Sequence, residues 1–412
     1  MHCQVLIVGA GVAGLACARL LEEAGIDWHL FEAADRVGGR VRTDSQDGFL
    51  LDRGFQVLLS AYPEARHFLD YAELDLGSFP SGARVFTHDK WRTFADPLRE
   101  PMAALPSLFN PAATTLDLFR LARWKSAARG KNSEAIFAEK EQTTADYFRE
   151  KGFSAQLRHA FLEPFFRGIL LDPELRVSSR MTELTFKYFS EGTACLPREG
   201  MEAIPRQLAN KLPLNRLHFG TPVERVEPGV IDLAEGRRLT AAAVVVAVDG
   251  ANAARLYPEI PEPSFQWTTA LYFDLPDLPP GGRWLHLCPA DPDFAPINNV
   301  AFPSAVRGNY APPKRHLACV NLRQPAEPED IRDPLRRLFG DASEEWRFLH
   351  RYDIPQALPF RLPLEPPYLP EEQQRGLLFA GDHRGLPSLN GALASGRRAA
   401  VTLLTGQPVA SD

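Results

Sequence analysis

Val5-Leu6-Ile7-Val8-Gly9-Ala10-Gly11-Val12-Ala13-Gly14 opens the chain with a β-branched run that breaks into three glycines. Four apolar residues with no polar alternation read as a strand of a parallel sheet, buried on both faces. Val12 to Ala24 then reads as a helix ending near Gly25, and Trp28 to Phe31 as a second strand leading into Glu32. Strand, glycine turn, helix, strand and acid within about 30 residues form a dinucleotide-binding unit. Each glycine has a task. Gly9 makes the tight turn, Gly11 lets the backbone approach a pyrophosphate, and Gly14 lets the helix pack on the strand. The helix N-terminus presents N–H groups and a positive dipole end to the phosphates. Glu32 follows Gly14 by 18 residues, the spacing for a carboxylate on the ribose hydroxyls, where it would repel a 2′-phosphate.

This unit alone leaves NAD and FAD open. The residues after the second strand are Glu32-Ala33-Ala34-Asp35-Arg36-Val37-Gly38-Gly39-Arg40-Val41-Arg42-Thr43. They resemble the flavin-containing amine oxidase superfamily, with its protoporphyrinogen oxidases, plant-type phytoene desaturases and hydroxysqualene-oxidising enzymes. The resemblance implies FAD, with Gly38, Gly39, Arg40 and Arg42 against its pyrophosphate. Glycines permit close approach there, and guanidinium groups pair with phosphate. Leu51-Asp52-Arg53-Gly54-Phe55-Gln56 is similar to the family segment that passes the isoalloxazine ring. Leu196-Pro197-Arg198-Glu199-Gly200-Met201 resembles its P-x-G-G-M segment, with Glu199 in place of the first glycine. Thr221-Pro222-Val223-Glu224-Arg225-Val226 resembles the strand that meets the adenine near Val223. Val244 to Val248 resembles the strand that returns to the nucleotide unit.

Near the C-terminus, Gly376-Leu377-Leu378-Phe379-Ala380-Gly381-Asp382 reads as a buried strand ending in Gly-Asp. The resemblance puts Gly381 and Asp382 at the ribityl or pyrophosphate region. Ser388, Leu389 and Asn390 would open a helix to about Leu404, its amides facing the flavin, where a helix N-terminus stabilises negative charge. The implied fold class is α/β. A Rossmann-type, glutathione-reductase-like FAD-binding domain would be assembled from 1–80, 191–261 and 362–412. An inserted α+β substrate domain would take 81–190 and 262–361. Pro258 to Pro263 and Pro359 to Pro370 read as the connections between them.

Composition narrows the function classes. A net charge of −6 over 412 residues argues against nucleic acid as a partner. Five cysteines without a C-x-x-C pair predict neither a disulfide framework nor a zinc site, and fit a reducing cytoplasm. No metal motif is found. Leu116 to Lys131 reads as a helix with Arg120, Arg123, Lys125, Arg129 and Lys131 against Asp117, interleaved with Leu118, Phe119, Leu121 and Trp124. Met102 to Phe109 lies just upstream. The helix fits a peripheral membrane contact, or an ordinary solvated basic face. Phe161 to Leu171 fits either a tunnel for a long apolar substrate or core packing.

Flavin accepts hydride from a substrate carbon, so the open choice is the substrate. Amine oxidases commonly carry an aromatic residue just before the C-terminal helix, where this chain has Ser388. They often also carry a cysteine near the C-terminus for covalent attachment, and here the last one is Cys319. Ser388 to Gly396 is similar to plant-type phytoene desaturases, and Asp52 to Leu59 to hydroxysqualene-oxidising enzymes. The expectation is an FAD-dependent oxidoreductase dehydrogenating a small apolar substrate, an isoprenoid or carotenoid, with oxygen or a quinone as electron acceptor. A porphyrinogen ranks second. An amine oxidase, a redox-neutral polyene isomerase and a non-catalytic flavin-binding protein are the other readings. No general base is assigned; His383, Arg53 and Gln56 lie nearest to the motifs.

Overall fold

The computed structural model describes residues 2–104, 111–364 and 376–406. His2–Val8 is the first strand and Val12–Glu23 the first helix. Trp28–Phe31 runs parallel to the first strand on one side, and Arg238–Val246 parallel on the other. Leu217–His218 extends the sheet beyond Trp28–Phe31, and Leu377–Phe379 pairs with Val244–Val246. The hairpin of Val223–Glu227 and Val230–Leu233 joins the first half of Arg238–Val246 in antiparallel fashion. The result is a Rossmann-type FAD-binding domain whose strands come from widely separated parts of the chain. Leu6, Ile7, Val244 and Val245 are fully buried, as the unbroken apolar runs of a parallel sheet require. The last helix, Leu389–Thr405, lies directly on Val12–Glu23. A Cβ on Gly396 would sit 2.1 Å from the Ala13 carbonyl oxygen, so this approach needs glycine.

A second sheet has seven strands, in the order 347–359, 265–275, 316–322, 297–301, 286–287, 82–87 and 90–95. Its pairings are antiparallel except His286–Leu287 with Gly82–Thr87. The helices Thr115–Gly130, Thr144–Glu150, Glu163–Leu170 and Ser179–Glu191 bury Trp124, Phe148 and Phe166 together with Val85 and Phe94 of this sheet. The core does not stop between the sheets. Ile7 and Val245 belong to the same apolar cluster as Tyr272, Leu317 and Leu349.

The predicted basic helix is Thr115–Gly130, closed by a capping box between Thr114 and Asp117. Trp124 is 3% exposed and packs inward. Lys125 pairs with Asp96, while Lys131 pairs with Glu139 and with the buried Glu183. The outward part keeps Leu116, Phe119 and Arg123, with Arg120 half-buried beside them. The segment 105–109 and the proline-rich stretch 365–370 lie outside the described residues. Among the described residues, no helix is long and apolar enough to cross a membrane. All five cysteines are buried and unpaired.

Candidate functional site

The first strand ends at Gly9, which adopts a φ of +105°, open to glycine and costly for other residues. Its N–H donates to the Phe31 carbonyl at 2.8 Å, which holds the turn against the second strand. A Cβ on Gly9 would lie 2.8 Å from the Ala247 oxygen, and one on Gly14 only 2.0 Å from the Gly9 oxygen. Gly11 is different in kind. Among the described residues nothing lies within 4 Å of its Cβ position, and it lines a cavity of about 830 Å³. Gly38 bridges to Gly11 as in a parallel ladder, and its N–H donates to the Ala10 carbonyl at 2.9 Å. The cleft therefore has a floor of bare backbone at the N-terminus of the helix Val12–Glu23.

Glu32 stands at the end of the second strand. Its carboxylate accepts the N–H groups of Ala10 at 2.7 Å and Ala34 at 2.9 Å, one on each oxygen. Arg40 donates to the Asp382 carboxylate and, at 3.3 Å, to the Ala357 carbonyl. Asp382 is 5% exposed, so Arg40 balances a nearly buried charge across the cleft. Gly381 precedes it, its N–H donating to Ser395 Oγ at 3.0 Å. Ser388 caps the last helix, accepting the Gly391 N–H at 3.0 Å, and opens the first turn of that helix onto the cavity.

Gly9, Gly11, Glu32, Gly38, Gly39, Arg40, Val223, Gly381, Asp382, Ser388 and Leu389 all line this one cavity. Three expected residues do not. Gly14 serves helix packing, as its contact with Gly9 shows. Arg42 is buried and donates to the Arg36 carbonyl at 2.7 Å, so its guanidinium is spent on the local turn. Asn390 faces the helix Pro63–Phe68, where its Oδ1 accepts the Glu64 N–H at 3.0 Å.

Arg53 and Gln56 also line the cavity. Arg53 donates twice to Asp44, at 2.8 and 3.1 Å, and Tyr352 donates to the same carboxylate at 2.8 Å. These bonds, Arg53's first, hold the Asp44 carboxyl well below the usual carboxylate range. Gln56 Nε2 donates to the carbonyls of Arg40 and Arg53. Both side chains are thus fixed as wall rather than free to relay protons. His383 is outside the cavity lining. Its ring lies against Gly381 and Gly250, neither nitrogen has a hydrogen-bond partner among the described residues, and burial pushes the imidazole down to about 4. It is a neutral packing residue.

Two features escaped the sequence reading. Asp52 is 3% exposed and accepts from Thr43 Oγ1, the Met201 N–H and the Tyr310 hydroxyl. Burial raises its carboxyl to about 6 against those donors. With Tyr272 donating to its carbonyl, it joins the second sheet to the segment carrying Arg53. The other feature is the cavity's far wall, where Phe165, Ile169, Phe189 and Leu285 are joined by Asn298, Asn299, Asn321 and Arg323. An Asn-Asn pair inside the apolar strand Ile297–Ala301 was the available signal. Within Phe161–Leu171 the side chains divide: Leu162, Phe166 and Leu170 are core, while Phe165 and Ile169 line the cavity.

A bare-backbone turn at a helix N-terminus, a carboxylate at the strand end, an arginine and a second helix N-terminus are what FAD requires of one cleft. The Cβ space at Gly11 is the part of this cradle that a side chain would fill.

The family model for flavin containing amine oxidoreductases matches residues 12–404. Protoporphyrinogen oxidase 2 of Arabidopsis thaliana is 28% identical over 167 residues, 40% of this chain and 32% of that protein. Carotenoid phi-ring synthase of Streptomyces griseus is 28% identical over 286 residues, 63% of this chain and 54% of that protein. The chain thus spans about a third to a half of the length of these curated relatives. A solved variant of putrescine oxidase superposes with a TM-score of 0.73 at 17% identity, covering 98% of this chain and 99% of that one. That likeness establishes the fold. The match and the geometry of the cleft agree on FAD as the cofactor.

Proposed function

The chain belongs to the flavin-containing amine oxidoreductase family, and from that premise we propose that it is an FAD-dependent oxidoreductase removing hydride from an apolar, isoprenoid-class substrate. The observation that carries this reading is the chamber continuous with the cofactor cleft. Phe165, Ile169, Phe189, Met181 and Leu285 wall it, and Ser388 and Leu389 stand where an amine oxidase commonly has an aromatic residue. The carotenoid and protoporphyrinogen enzymes named among the relatives support an apolar substrate over a small amine.

FAD supplies the hydride acceptor when bound. The chain's residues do the rest. Gly11 and Gly38 would keep side chains away from the pyrophosphate, Glu32 would engage the ribose, Arg40 would face the pyrophosphate, and Asp382 would lie at the ribityl or pyrophosphate region. The N-terminus of Leu389–Thr405 favours negative charge at the flavin. The apolar wall excludes water, which protects a hydride transfer from side reactions. Oxygen or a quinone takes the electrons. A cytoplasmic protein resting on an anionic membrane through Leu116, Phe119, Arg120 and Arg123 fits that acceptor and that substrate. In that case Arg120→Glu with Arg123→Glu reduces pelleting with anionic liposomes; equal pelleting removes the membrane from this reading.

Anaerobic bleaching of the visible flavin band tests the proposal. Isoprenoids are expected to bleach it while simple amines leave it unchanged. Bleaching by amines alone would overturn it.

A further inference from the structure

The far wall of the chamber is polar in a way that a hydrocarbon substrate does not call for. Asn299 and Asn321 face each other across paired strands, and Asn321 Nδ2 donates to Asn299 Oδ1 at 2.7 Å. Arg323 is two residues beyond Asn321, just past the end of its strand, and lines the same cavity. Both asparagines are nearly buried, at 3% and 8% exposed, yet line the cavity. Asn298 lines it too, its Nδ2 3.4 Å from the Pro164 carbonyl. These contacts use only part of the donors and acceptors of the three carboxamides, which leaves the rest of them on one chamber wall to meet a polar group.

The facing helix supplies a second cation. A π-helical turn, Arg158–Leu162, precedes Pro164, whose missing N–H cannot serve an ordinary helical bond. The next turn brings Phe165, Arg167, Gly168 and Ile169 to the chamber. At Gly168 a Cβ would lie 2.5 Å from Asn299 Nδ2 and 2.7 Å from Asn298 Nδ2. Glycine is therefore what lets this helix close on the asparagines, with Arg167 beside them.

The charges in this corner do not balance. Glu163 is shared between Arg167 at 3.2 Å and Arg158 at 3.8 Å, with His159 at 4.0 Å. Among the described residues Arg323 donates to backbone alone, to the carbonyls of Pro289 at 3.0 Å and Asp291 at 3.2 Å. Among the described residues no carboxylate lies within ion-pair distance of it. The Asp291 side chain is occupied with the Asp293 N–H. Burial lowers the Arg323 pKa from its ordinary value, and the charge on Arg167 adds to that, against opposing contributions from Cys288 and Asp291. A half-buried guanidinium with a second one nearby and no anion of its own is placed to receive one.

We propose that Arg167 and Arg323, with the carboxamides of Asn298, Asn299 and Asn321, form a subsite for an anionic group carried by the apolar substrate. That group is a carboxylate or a phosphate ester; both match the planar donors of two guanidinium groups. This inference rests on the proposed oxidation of an apolar substrate and narrows it. The substrate is an amphipathic anion held by its head group, with its apolar body along Phe165, Ile169 and Phe189.

The test is calorimetric titration of the FAD-loaded protein with three probes sharing one C20 isoprenoid chain: geranylgeranoic acid, geranylgeranyl phosphate and geranylgeraniol. Coproporphyrin III, a tetracarboxylate, is the fourth probe. The acid or the phosphate is expected to bind about tenfold or more tightly than the alcohol, and whichever leads identifies the head group. Arg323→Gln and Arg167→Gln should each remove most of that preference, while Arg323→Lys keeps part of it. Equal binding of all three isoprenoids overturns the subsite and leaves the proposed oxidation standing. Arginine-dependent binding of coproporphyrin III with no binding of the isoprenoids keeps the subsite and overturns the isoprenoid reading. Binding of none of the four overturns both. Should Arg323→Gln fail to retain flavin, the wild-type series with Arg167→Gln and Arg323→Lys gives the same decisions.

Discussion

The two ends of the cavity are made of different material. The nucleotide end is built from backbone: Gly9, Gly11 and Gly38 shape it, and two helix N-termini aim at it. The chamber end is built from side chains, with Phe165 and Arg167 on a helix, Asn299 and Asn321 on two strands, and Arg323 just past the end of the second. A backbone site depends on spacing within a few residues, so it tolerates little change. A side-chain site depends on strand register and helix packing, so its chemistry can change while the fold stays the same. This is how one fold accommodates relatives with different substrates.

Variants can break or sharpen this contrast. Asp52 sits at the joint between the two ends. Its folded pKa of about 6 lies above the ordinary carboxylate value near 3.9, so between those values the folded state holds more protons than the unfolded one. Its contribution to stability is therefore complete at about pH 4 and lost as pH rises through about 6, on the order of 2–3 kcal/mol. The melting temperature of Asp52→Asn should lack that segment of the wild-type pH profile; an unchanged profile would remove Asp52 from the account.

Arg40→Met leaves Asp382 without its cation. A fully buried pair broken this way costs roughly 3–5 kcal/mol. Arg40's side chain is 33% exposed, so solvent screening brings the expected loss to about 2 kcal/mol, together with a fall in flavin content. Normal stability and full flavin would show that the pair is not part of the cofactor wall. Glu32→Ala should have a smaller effect, about tenfold weaker FAD binding from one lost charge-assisted contact, with the fold intact. Fluorescence titration of the apoprotein with FAD reads this directly, and unchanged affinity would take Glu32 off the ribose.

The same contrast explains what was legible in the sequence. Val5-Leu6-Ile7-Val8, the glycines after it and Trp28 to Phe31 gave strand, turn, helix and strand close to the observed bounds. Leu389–Thr405, with Ser388 as its cap, was equally readable because cap and periodicity are local. Arg42 and Asn390 were placed on the cofactor by the family resemblance. Here the Arg42 side chain donates to the Arg36 carbonyl and that of Asn390 accepts the Glu64 N–H. Asn298, Asn299, Asn321 and Arg323 fall in the stretch where the family resemblance was thinnest. They meet Arg167 only through pairing of Ile297–Ala301 with His316–Leu322 and packing of Glu163–Leu170 on that sheet. The side on which Trp124 lies was not legible, because a helix's buried side is settled by what packs on it, here Phe148, Phe153 and Phe186.

The central claim is that the bare backbone at Gly11 carries the FAD pyrophosphate. The direct measurement is flavin content per chain of purified wild type and Gly11→Val, with circular dichroism to confirm that both are folded. Because nothing among the described residues occupies the Cβ position of Gly11, the account predicts a folded variant with little or no flavin beside a wild type carrying close to one FAD per chain. A folded Gly11→Val protein with full flavin content would contradict it.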